Sequence, residues 1–142
     1  MYILGTKISQ LLMYDKIRFD LEFPIHASPQ LLYQYISTPS GLSEWFSDNV
    51  NSRGEMFTFI WDGSEEQAKL LNKKSGERVK FRWIEDEEDG QPYYFEIRIQ
   101  VDEITKDVSL MITDYAEEDE ISEAKMLWEN QISTLKQVLG SA

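Results

Sequence analysis

A chain of 142 residues with 42 % hydrophobic and 13 % aromatic content holds enough apolar material for the core of one domain, and too much to stay disordered. Its net charge of −12 removes the counterion release on which nucleic-acid affinity rests and disfavours anionic membrane surfaces. The absence of cysteine excludes disulfides, thiolate catalysis and Cys-based zinc sites and fits a cytoplasmic protein. No window approaches the ~18 apolar residues of a membrane-spanning helix, so the chain is not expected to be an integral membrane protein. The first residues are not a signal peptide, because Lys7 interrupts any apolar run and no small-x-small site follows. Their periodicity is weak and a clean strand pattern follows Met13. Residues 1–12 therefore read as an extension upstream of a natural start at Met13, and residues 13–142 as the domain.

Ile17, Phe19, Leu21, Phe23 and Ile25 alternate with Lys16, Arg18, Asp20 and Glu22, which predicts a strand with one buried face. Ser28-Pro29 predicts a helix start, Ser28 as cap and Pro29 at the first helical position. Leu31, Leu32, Tyr35 and Ile36 give that helix its apolar face. It should stop at Thr38-Pro39, where the same cap-then-proline signal predicts a second short helix through Leu42 to Trp45.

A meander of strands is expected next: Met56 to Trp61 ending at Asp62-Gly63, Gln67 to Asn72 broken by Ser75-Gly76, Val79 to Ile84, Phe95 to Val101 after Asp89-Gly90, and Val108 to Thr113. Glu96 is placed to pair across the sheet with Lys80 or Arg82. Finally Ile121, Ala124, Leu127, Trp128, Ile132, Leu135, Val138 and Leu139 repeat at helical spacing, one apolar stripe along about five turns, with Gly140 as the stop. The fold class is α+β. A long helix with one apolar stripe must lie on the apolar face of the sheet, and a twisted antiparallel meander curves around it.

Catalytic signals are missing. His26 is the only histidine, and Ser28 beside it is occupied as a cap. No base–nucleophile pair and no phosphate-binding glycine loop is present, so no catalytic residue, cofactor or metal site is expected, and an enzyme such as a cyclase or hydrolase is the third reading, after a binding module and an interaction module. Residues 85–120 hold 14 of the 26 acidic residues and 2 of the 14 basic ones. The runs Glu85 to Asp89 and Glu117 to Glu120 read as solvated, outward-pointing turns. The basic cluster at Lys69, Lys73, Lys74, Arg78, Lys80 and Arg82 reads as a partner for internal charge pairing.

The aromatic residues are many for one small core. Trp45, Phe46, Phe59, Trp61, Phe81, Trp83, Phe95 and Trp128, with Leu135, either fill that core or line a ligand cavity between sheet and helix. Gln131 falls inside the apolar arc of the last helix. Its amide either bonds a strand carbonyl or buried water, or orients a polar group of a ligand, in which case Gln131→Leu weakens binding and keeps stability.

Ser28-Pro29, Leu32-Tyr33, Ile36, Thr38-Pro39, Leu42 and Trp45-Phe46, followed at the far end by the helix carrying Trp128, resemble the START-like superfamily. The likeness is to its branch of homologues of the heat-shock chaperone ATPase activator. The resemblance runs from about Lys16 to Leu139, specific in its N-terminal motif and a matter of element order elsewhere. It implies a helix-grip fold with a cavity under the C-terminal helix. It also implies a small intracellular binding protein whose partner is a hydrophobic small molecule or lipid. The alternative it implies is a protein-interaction module with a protein partner and no small-molecule ligand.

Overall fold

The computed structural model describes residues 15–140. The expected extension over residues 1–12 and the start at Met13 lie outside the described residues. Strand β1 (Ile17–Pro24) is followed by helices α1 (Pro29–Ser37) and α2 (Pro39–Leu42). Five strands and a short helix come next: β2 (Asn49–Arg53), β3 (Met56–Trp61), β4 (Ser64–Lys74), β5 (Arg78–Trp83), α3 (Ile84–Glu88) and β6 (Phe95–Val101). Strand β7 (Val108–Ala116), a 3-10 turn (Glu118–Glu120) and the long helix α4 (Ile121–Val138) complete the chain. The strands form one curved antiparallel sheet in the order β1-β7-β6-β5-β4-β3-β2. The predicted class therefore holds: an α+β helix-grip, with two short helices after the first strand and a long one at the end.

Local chemistry sets most of the boundaries. The Ser28 hydroxyl accepts the Leu31 N–H at 3.2 Å and caps α1. Thr38 serves both short helices: its hydroxyl donates to the Gln34 carbonyl at 2.7 Å and accepts the Gly41 N–H at 2.9 Å. Asp62 (φ 46°) and Gly63 (φ 85°) both take the left-handed conformation that a two-residue hairpin requires, which fixes the register of β3 on β4. The inner face of the sheet buries Phe59, Phe81, Phe95, Ile97, Leu110 and Ile112 completely. Leu32 and Ile36 of α1, Leu42 of α2, and Ile132 and Leu135 of α4 cover them.

Several expectations change. The second helix ends at Leu42, and Trp45 to Ser47 lie in a turn whose N–H groups reach back to the Leu42 carbonyl. Strand β2 adds an edge, β4 begins at Ser64, and β7 runs on to Ala116. The run Glu85 to Asp89 is not an outward hairpin tip. Most of it is α3, and Glu87 turns back to Lys69 at 3.6 Å and Arg82 at 3.2 Å. Arg82 also donates to the Tyr93 carbonyl at 2.8 Å and the Pro92 carbonyl at 3.3 Å, fastening the approach to β6. Lys80 faces Glu96 in the register, with its ammonium 3.9 Å from the centre of the Tyr94 ring. The stripe on α4 is narrower than its periodicity suggests: Trp128, Ile132 and Leu135 are buried, whereas Leu127 is 59 % exposed and Val138 is exposed too.

The α1–α2 step permits no side chain at Gly41, where a Cβ would collide with the Gln34 carbonyl and sit 2.6 Å from the Tyr35 Cα. Gly41→Ala is expected to destabilise the domain by about 1–3 kcal/mol, measured by denaturant unfolding. An unchanged midpoint would show that the two helices separate freely.

An aromatic cleft beneath the C-terminal helix

Two helical blocks share one sheet face. Helix α1 packs on β5 and β6, and α4 packs on β1 and β7. Between them, beneath the middle of α4, an open cleft of about 450 Å³ remains. Five rings wall it: Phe46 from the turn after α2, Trp61 ending β3, Trp83 ending β5, Phe95 opening β6, and Trp128 on α4. Their centroids form a closed circuit: Trp128–Phe46 5.6 Å, Phe46–Trp61 5.7 Å, Trp61–Trp83 6.0 Å, Trp83–Phe95 5.1 Å and Phe95–Trp128 6.1 Å. Spacings of this size are those of favourable edge and offset ring contacts, so each ring holds its neighbours in place.

Hydrogen bonds lock the wall. The Phe46 carbonyl accepts the Trp61 indole N–H at 3.0 Å and the Gln131 amide Nε2 at 2.8 Å. The bond to Gln131 ties α4 to the turn after α2. Replacing Gln131 with leucine therefore also gives up a structural bond, a net contribution of about 1 kcal/mol.

Asp114 on β7, opposite Phe19 in the register, supplies the cleft's innermost charge. Its Oδ2 accepts the Trp128 indole N–H at 2.8 Å and its Oδ1 accepts the Tyr115 N–H at 2.7 Å. Burial pushes this carboxyl above the usual carboxylate range, and those two donors only partly oppose the effect. Glu66 of β4 joins it on the same wall because the Asp62-Gly63 turn sets Glu66 opposite Phe59, on the inner face. Leu127 forms the rim. Glu66 and Trp83 also border a second hollow of about 910 Å³, whose lining includes Glu65, Glu85, Asp86, Asp89, Glu117 and Lys16.

Of the residues singled out from the sequence, the cleft brings together Phe46, Trp61, Trp83, Phe95, Trp128 and Gln131. Trp45, Phe59, Phe81 and Leu135 lie elsewhere. Trp45 is buried with its indole N–H on the Tyr35 carbonyl at 2.9 Å, and the other three are fully buried in the core. Asp114, Glu66 and Leu127 border the cleft without having been singled out for it. His26 is exposed and lies beside a separate hollow of about 530 Å³ formed with Lys106 to Ser109. Among the described residues, Glu117, Asp119 and Glu120 bring carboxylate oxygens within 4.8 Å of one another on a largely exposed turn.

An antiparallel sheet gripping a C-terminal helix, with an aromatic cleft between them, defines a helix-grip domain. The model of the START-like superfamily domain matches residues 13–141, and the chain belongs to that family. A solution structure of a Bacteroides fragilis protein is 34 % identical, covers 87 % of this chain and 91 % of its own, and superposes with a TM-score of 0.62. The Aha1 dimer from Colwellia psychrerythraea (18 % identity, 87 % and 96 % covered, TM-score 0.73) shares the fold. So does a Mesorhizobium loti protein (16 %, 87 % and 97 %, TM-score 0.70). No curated protein matches the chain.

Asp114 gives the cleft a signature in pH. Its folded pKa is raised, so between the unfolded and folded values the folded state holds the extra proton, and stability falls as pH rises through that window. Asp114→Asn removes this dependence. Lowering the pH from 7 toward 4 is expected to shift the stability difference in favour of the wild type, measured by urea unfolding at each pH. A difference that stays constant would mean that the carboxyl titrates like an exposed one.

Proposed function

We propose that this protein is a small intracellular binding protein that holds a hydrophobic small molecule or lipid in the cleft between the sheet and α4. The observation that carries the reading is the preformed aromatic wall. Five rings, held by one another and by the Phe46 carbonyl, surround about 450 Å³, within the range of small-molecule sites. Rigid rings lose little conformational freedom when a ligand arrives, so the apolar area they bury contributes to affinity at about 25 cal/mol per Å² with a small ordering cost. The ligand contacts in this reading are Phe46, Trp61, Trp83, Phe95, Trp128 and Gln131. Trp45, Phe59 and Phe81 contact rings of the wall, and Leu135 lies in the same buried core.

A second reading, a protein-interaction module without a small ligand, is favoured by one observation. Met126 and Leu127, adjacent on α4, are 61 % and 59 % exposed, and Leu127 borders the cleft, exposed apolar surface that a protein partner would cover.

Native mass spectrometry of the purified protein, followed by organic extraction, separates the two. A reproducible added mass is expected for the wild type. Leu127→Trp, a change at an exposed rim position, is expected to reduce the ligand-bearing fraction while moving stability by no more than about 0.5 kcal/mol. A bare monomer mass that gains a protein partner instead would favour the interaction module.

A further inference from the structure

We propose that the molecule held in this cleft is an organic cation, an apolar body carrying an ammonium group. The inference rests on the ligand-binding reading and names its chemistry. Aromatic faces attract ammonium groups through their quadrupoles, most strongly for tryptophan and most effectively where water is displaced. Three of the five rings on the wall are Trp61, Trp83 and Trp128. Among the described residues, the charged side chains lining the cleft are Glu66 and Asp114, both acidic. The neighbouring hollow, reached past Glu66 and Trp83, adds five further carboxylates against the single ammonium of Lys16. That ammonium is itself drawn toward an aromatic face, 5.3 Å from the centre of the Tyr93 ring.

Asp114 makes the argument specific. A carboxylate on an apolar wall destabilises the protein unless something compensates it. Its two protein partners, the Trp128 indole N–H and the Tyr115 N–H, are neutral donors. Lys16 acts on this carboxyl but lies in the neighbouring hollow and does not line the cleft. A ligand cation would bring an opposite charge into the cleft itself, and Glu66 would hold the same group from the solvent side. A fatty acid or other anion would meet two carboxylates and, among the described residues, no lining cation.

The test compares three probes of equal chain length below their micelle concentrations: octyltrimethylammonium, 1-octanol and octanoate. Titrations follow tryptophan emission at fixed ionic strength. The ammonium is expected to bind at least about tenfold tighter than octanoate, with octanol between them. Glu66 is solvent-exposed, so Glu66→Gln leaves the fold intact. It is expected to weaken the ammonium about three- to tenfold and to leave octanol unchanged, and Asp114→Asn should do the same. Glu103→Gln, at an exposed site outside the cleft lining, controls for attraction to the protein's overall charge and is expected to change nothing. Octanoate binding as tightly as the ammonium would overturn the inference, as would Glu103→Gln weakening the ammonium as much as Glu66→Gln does. If octanol binds and the ammonium binds no better, the cleft is a ligand site for neutral molecules and only this inference falls. If none of the three binds, the ligand-binding reading falls with it.

Discussion

Everything in the cleft depends on Phe46. Its ring lies 5.1–5.7 Å from those of Trp45, Phe59, Trp61, Phe95 and Trp128, which come from the same turn, the sheet and the last helix. Its carbonyl accepts hydrogen bonds from Trp61 on β3 and Gln131 on α4. One residue outside regular secondary structure thus joins three elements through both its apolar and its polar ends. Its own place is fixed upstream. The Thr38 hydroxyl closes α1 and opens α2, and Gly41 lets the two helices meet at backbone distance. Ser43 then bonds the Pro39 carbonyl and receives the Val50 N–H, joining α2 to β2. The chain between them has little freedom, and Phe46 points where the rings need it.

The cleft follows from dividing one sheet face between two helical blocks. Helices α1 and α2 fill one part of the inner face with Leu32, Ile36 and Leu42. The second half of α4 fills another with Ile132 and Leu135. At the middle of α4, where Leu127, Trp128 and Gln131 border the cleft, rings rather than aliphatic side chains stand on the sheet side, and flat, rigid rings leave gaps where they meet at angles. The interplanar angles around the wall run from 34° to 56°, so the rings do not close into a flush stack.

The parts of the fold that were legible in the sequence are those where burial writes a period: β1 and β6 by strict alternation, α1 by its cap and proline, α4 by its stripe. Strand β2 left no such mark because Asn49 to Arg53 carries a single buried apolar residue, Val50, at a sheet edge. Helix α3 was hidden because an acidic run reads the same in a helix as at a hairpin tip. Its structural role comes from Glu87 meeting Arg82 at the end of β5 and Lys69 on β4, contacts that a charge run does not announce. The exposure of Leu127 shows the limit of a helical stripe: periodicity gives an angle around the axis, not what lies opposite that angle. The rings Phe46, Trp61, Trp83, Phe95 and Trp128 stood out by their number, yet Phe59 and Phe81 had the same credentials and turned out to be core. The two carboxylates were out of reach for a different reason. Glu66 reaches the inner face only through the register set by a two-residue turn, and Asp114 lies in the extension of β7 beyond Thr113, where the expected strand had already ended.

Those carboxylates bear on what kind of helix-grip domain this is, because the fold alone assigns no chemistry. A hollow lined only by leucine and phenylalanine would accept any apolar body of the right size and would also be the more stable arrangement. This cleft instead holds Asp114 where burial raises its pKa, and orients it with the indole N–H of Trp128, a ring of the wall itself. The two features are coupled: the bond that keeps the Trp128 ring in its place also keeps the carboxylate in the apolar surroundings that penalise it. Asp114 thus joins β7 to α4 through the Trp128 indole while placing a carboxyl on the cleft wall, at the cost of its burial.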